Sequence, residues 1–149
     1  MIKKILPLIT ILLLATLLRT YQLNKVPVAL FGDEIDVGYQ AYSLLNTGKD
    51  ISGRFLPTYI KSIAEYRAPL FIYSAVPFVG LFGLNEWGVR LPAAFWGILS
   101  VLGIYLIGSN LFGKKVGLIS AALLTLSPWH LQYSRAAFEV TLLLFLLIY

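Results

Sequence analysis

Apolar positions along the chain gather into long unbroken runs divided by short charged clusters. Between Lys4 and Arg19 lies ILPLITILLLATLL, which reaches spanning length if both basic ends snorkel and Thr20 to Leu23 are added. Leu91 to Gly113 and Val116 to Ser134 are uncharged throughout, bracketed by Arg90, Lys114, Lys115 and Arg135. Each is long enough to cross about 30 Å of hydrocarbon at roughly 1.5 Å per residue. A fourth run starts at Val140 and continues to Tyr149 with no turn or cap, as the N-terminal piece of a longer chain would. The pattern therefore predicts spans at about 5–23, 91–112, 116–134 and 139–149, the last cut short. An uncleaved anchor suits the first better than a signal peptide, because RTYQLNK offers no small-x-small cleavage site. Pro128 should kink or end the third helix.

The run Ala68 to Asn85 is equally uncharged but carries Pro69, Pro77, Gly80 and Gly83. Parity sets its place. Short Lys/Arg-rich loops stay cytoplasmic, and the clearest are Lys3-Lys4 and the tight Lys114-Lys115 link. With both inside, an even number of crossings separates them, so 68–85 should lie in or dip into the outer interface. The expected fold is all-α and polytopic, with a cytoplasmic N-terminus and a long extracytoplasmic first loop, about 24–88, containing amphipathic interfacial helices. A second outer turn falls near Ser134 to Glu139.

Composition agrees with lipid as the main solvent. Of 149 residues 58% are apolar and 13% charged, against near half and about a quarter in ordinary soluble domains. The absence of cysteine excludes disulfides, cysteine zinc sites and thiol nucleophiles. A net charge of +5 does not here imply a nucleic-acid partner, and no GxGxxG or GxxxxGK[ST] phosphate cradle is present.

All seven acidic residues fall in the two outer segments. In GDEIDVGYQAYSLLNTGKD the apolar positions Ile35, Tyr39, Tyr42 and Leu45 describe a short amphipathic helix lying on the membrane, closed by Gly48. Asp33 is expected at its N-cap, with Asp36 three residues on as in a capping box. Yet three carboxylates in four residues exceed what one cap needs, and an acid at the lipid boundary can serve as general base or cation ligand. Arg67 and Arg135 abut apolar segments on the same side and are natural phosphate partners, although either alone also reads as a snorkelling interface arginine. Glu139 opens a membrane helix. His130, the single histidine, sits with Trp129 and Tyr133 as aromatic-belt material; metal ligation by Glu34, Glu139 or His130 is left open, with no cofactor firmly indicated.

The order of elements resembles the start of GT-C membrane glycosyltransferases. It comprises a basic N-terminus and one span, GDEIDVGYQAYSLLNTGKD, YRAPLFIY, then EWGVRLPAAFWGILSVLGIYLIGSNLFGKKVGLISAALLTLSPWHLQYSRAAFE. The nearest groups are the protein O-mannosyltransferase-like family 39 and the lipid A aminoarabinose transferases. The resemblance implies transfer of a sugar from a polyprenyl-phosphate carrier to a protein, lipid or glycan acceptor at the extracytoplasmic face of an integral membrane protein. It implies Asp33 as the catalytic carboxylate, Glu34 as its neighbour, and Glu139 in place of a second acid, usually Asp. Arg67-Ala68-Pro69-Leu70 is similar to a Lys-Pro-Pro-Leu element with the basic residue shifted by one. Two other readings stand beside this one. One is a non-catalytic transporter subunit or anchor; the other is a truncated fragment without activity.

Overall fold

The computed structural model describes residues 2–62 and 65–149, with side chains from Ile5 onward; the side chains of Lys3 and Lys4 lie outside the described residues. Seven helices and one short hairpin are present among them, in the order α1 (Ile2–Thr20), α2 (Gly32–Thr47), β1 (Ile60–Lys61), β2 (Tyr66–Arg67), α3 (Pro69–Phe82), α4 (Glu86–Phe112), α5 (Lys114–Leu126), α6 (Pro128–Tyr133) and α7 (Val140–Ile148). The chain divides into two units, and α4 contributes to both, changing over between Pro92 and Ala93.

The first unit holds α1, α4 from Ala93 on, α5, α6 and α7. Its core is built from small and β-branched side chains: Ala15 of α1, Val101 of α4 and Ala121 of α5 are buried, with Ile11, Leu12, Ile104, Tyr105 and Leu124 packed around them. Small residues allow α4 and α5 to approach closely. A Cβ on Gly117 would lie 2.1 Å from Ser109 Oγ and 2.7 Å from the Tyr105 carbonyl oxygen. Trp96, Phe145 and Tyr149 pack in series as tilted rings, with centroids 5.0 Å apart at each step. Large apolar side chains remain uncovered on the outside, among them Leu13, Leu17, Ile119, Leu123 and Leu147. Contiguous exposure of that kind suits lipid rather than water.

At 27 residues, α4 alone among the described helices is long and apolar enough to cross a membrane by length and composition; it begins at Glu86, ahead of the expected Leu91. The run expected to span 116–134 is broken, as Pro128 predicts. Ser127, which precedes the proline, is extended at φ −61° and ψ 117°, the region such residues favour, and a short helix restarts at Pro128.

The second unit comprises residues 22–92 and 136–138. Helices α2 and α3 pack on each other through Val37, Ala41 and Leu44 against Phe71, Ile72, Ala75 and Val79, all buried. The stripe Ile35, Tyr39, Tyr42 and Leu45 stays about half exposed, with Leu45 reaching Gly80 of α3. Gly48 ends α2 in the left-handed region at φ 67°, its N–H donating to the Leu44 carbonyl, which is the predicted cap. The expected start of α2 is corrected: the N-cap is Phe31, not Asp33. Phe31 has no side-chain acceptor to offer, so only the reciprocal half of a capping box forms, with the Phe31 N–H donating to Glu34 Oε2 at 2.9 Å. The run 68–85 forms one helix, α3, with Pro69 in its first turn and Pro77 inside it.

Candidate active site

Asp33 lies in the first turn of α2, its side chain 40% exposed, and pairs with Arg67 Nη2. Arg67 reaches it because β2 pairs with β1 in the register Ile60↔Arg67. Ile60 is fully buried, so the residue opposite it on the same face is carried inward towards α2. The guanidinium meets three carboxylates: Asp33, Glu65 Oε1 at 3.1 Å, and Asp36 Oδ2 at 3.4 Å. Burial weakens its hold on the proton. The hydrogen bond to Asp33 and the fields of Asp33, Asp36 and Glu65 outweigh that, and the Arg67 pKa lies above its ordinary value. Gln40, fully buried one turn on, ties this end of α2 to the hairpin by donating to Asp36 Oδ1 and the Lys61 carbonyl and accepting from Ile51 N–H.

Glu34 turns inward. Its side chain is 1% exposed, and Oε1 accepts from Arg90 Nε at 2.8 Å and the Ala137 amide at 3.1 Å. Oε2 accepts from Arg90 Nη2 at 3.1 Å and the Phe31 amide. Arg90, also fully buried, gives its remaining N–H groups to the carbonyls of Leu23, Pro27 and Ala29. All five guanidinium donors are thereby matched. This clamp fixes the chain entering α2, the first turn of α2, α4 and the 136–138 segment around one ion pair, one residue from Asp33. The sequence reading missed Arg90, treating it only as the edge of a span. The signal was the acid beside Asp33, which at a lipid boundary requires a cation.

The other expected site residues belong to the first unit. Arg135 donates to the Leu18 and Tyr21 carbonyls at the end of α1, at 2.7 and 2.9 Å. Glu139 is exposed at the N-cap position of α7. His130 is buried, with Nδ1 2.7 Å from Arg19 Nη2. Of the three suggested metal ligands, Glu34 is saturated by Arg90 and two amides, and His130 Nδ1 is taken by Arg19. Among the described residues no three His, Asp or Glu side chains gather to hold an ion.

Residues 66–149 match the family model of dolichyl-phosphate-mannose-protein mannosyltransferases. The chain belongs to that family. No curated protein and no solved structure matches it. Membership makes this mannosyltransferase-family chain a membrane glycosyltransferase of the GT-C type, as the resemblance implied. With α4 and its uncovered apolar surface it is an integral membrane protein. The matched stretch opens on the strand that carries Arg67 and takes in Arg90, His130, Arg135 and Glu139, while Asp33 and Glu34 precede it.

Proposed function

We propose that the protein transfers a sugar from a polyprenyl-phosphate donor to an acceptor hydroxyl or phosphate at the extracytoplasmic face, with Asp33 as general base for a hydroxyl acceptor. The observation that carries this reading is the contrast between two adjacent acids. Glu34 is sealed into the Arg90 clamp, whereas Asp33 is held on its helix end by that clamp and by Arg67 yet keeps its carboxylate open to approach. An acceptor O–H donates its proton to Asp33 as its oxygen bonds to the sugar's anomeric carbon. The carbon–oxygen bond to the carrier phosphate breaks with its electron pair, through an oxocarbenium-like state that a nearby carboxylate stabilises. Arg67, already at Asp33, or Arg135 takes up the charge of the departing phosphate. Glu139 orients the acceptor, and Glu34 acts by positioning Asp33. The exposed stripe Ile35, Tyr39, Tyr42 and Leu45 rests on the membrane surface, where the carrier lipid arrives.

Asp33→Asn keeps the shape and removes the base. In the full-length protein it should lower kcat for transfer from polyprenyl-phosphate-mannose by roughly 10²–10⁴-fold with the fold retained and only a small drop in thermal midpoint, since the partly exposed Asp33–Arg67 pair loses its charge. Near-normal transfer by that variant would refute the assignment. An inactive wild type would favour a transporter or anchor role.

A further inference from the structure

Arg19 is the largest fully buried side chain of the first unit, and among the described residues no carboxylate meets it. A guanidinium without a counter-ion in an apolar bundle is costly and points to a specific role. Its contacts show what it does. Nη1 donates to the Ala15 carbonyl at 3.1 Å, one turn back on α1, while Nη2 reaches the Leu124 carbonyl at 3.4 Å and His130 Nδ1 at 2.7 Å. Leu124 is four residues before Pro128, so its carbonyl is the one a continuing α5 would have paired with the amide of residue 128, and proline has none. Arg19 fills that acceptor. Because an arginine can only donate, Nδ1 must accept, which leaves the imidazole neutral at that nitrogen.

One side chain of α1 thus grips both sides of the break, the last turn of α5 and the first turn of α6. The reverse grip is present as well: Arg135, just beyond α6, donates back to the Leu18 carbonyl of α1 and the Tyr21 carbonyl just past its end. Space for the knot comes from Gly97 on α4, where a Cβ would lie 2.4 Å from Ser134 Oγ and 3.2 Å from Arg19 Nε.

We infer that Arg19 is a positioning residue: it splints the proline break between α5 and α6 and so sets where α6 delivers Arg135. The effect on catalysis rests on the transfer reading above; the splint itself does not. Residues 1–149 contain no cysteine, so spin labels on cysteines introduced at Ile119 and Gln132, with any cysteine elsewhere replaced by serine, report from each side of the break. In full-length protein in lipid nanodiscs, Arg19→Met should lower the thermal midpoint and shift the label distance distribution. Adding Pro128→Ala to that variant returns an amide to the Leu124 carbonyl. It should restore the midpoint while the label distance stays displaced and kcat with polyprenyl-phosphate-mannose stays down on the order of a hundredfold, donor KM holding within about twofold. His130→Leu, which removes one arm of the grip, is the milder variant and should displace the same distance. A wild-type distribution in Arg19→Met or His130→Leu, or recovery of transfer together with stability on adding Pro128→Ala, would overturn the inference. A wild type without transfer would sink the reaction and leave the label distances to judge the splint.

Discussion

At the scale of single residues the site is a division of labour between neighbours. Asp33 and Glu34 differ by one position on a helix end, and a 100° step separates a carboxylate open to a substrate from one locked under an arginine. The lock is demanding, because Arg90 satisfies two carboxylate oxygens and three carbonyls at once. Arg90→Met would strand a buried carboxylate and three acceptors, at about 3–5 kcal/mol. Arg90→Lys should recover little of this, since an ammonium has three donors for five acceptors. Unfolding of the purified variants measures both, and wild-type stability in either would show that the clamp does not hold the site. The candidate base was legible in the sequence because acids are scarce and clustered. Arg90 was not, because a guanidinium serving a carboxylate 56 positions away leaves no local periodicity.

At the scale of elements, local chemistry was legible wherever one residue dictates backbone geometry. Gly48 caps α2 in the left-handed region, and Pro128 breaks the third run at the expected place. The N-cap was misplaced because Asp33 is a good cap by type, while the Arg90 pair draws Glu34 inward and starts the helix at Gly32. The β1–β2 hairpin was missed. Its strands are two residues long and no Asn-Gly or Asp-Gly turn marks it; side-chain packing and the acids around Arg67 hold it instead. The α4–α5 hairpin depends on missing side chains. Gly117→Ala should cost roughly 1–3 kcal/mol by overpacking, because one of the atoms it meets is the backbone oxygen of Tyr105, which cannot swing aside. An unchanged thermal midpoint would show that the two helices separate freely.

At the scale of the whole molecule, family membership supplies the reaction class, and the two units supply the groups. The second unit carries Asp33, Arg67 and the clamp; the first carries Arg135, Glu139 and the Arg19 splint. For one reaction these groups must serve a single compartment. Parity of basic loops argues for this from the sequence. The most direct measurement uses the cysteine-free chain in right-side-out vesicles, with single cysteines at Glu65, beside Asp33 and Arg67, and at Glu139, both exposed positions. The account predicts that a membrane-impermeant maleimide added outside labels both, and that a cysteine at Lys115 stays protected until the vesicles are opened. Labelling of Glu65→Cys and Glu139→Cys from opposite sides of the bilayer would contradict it.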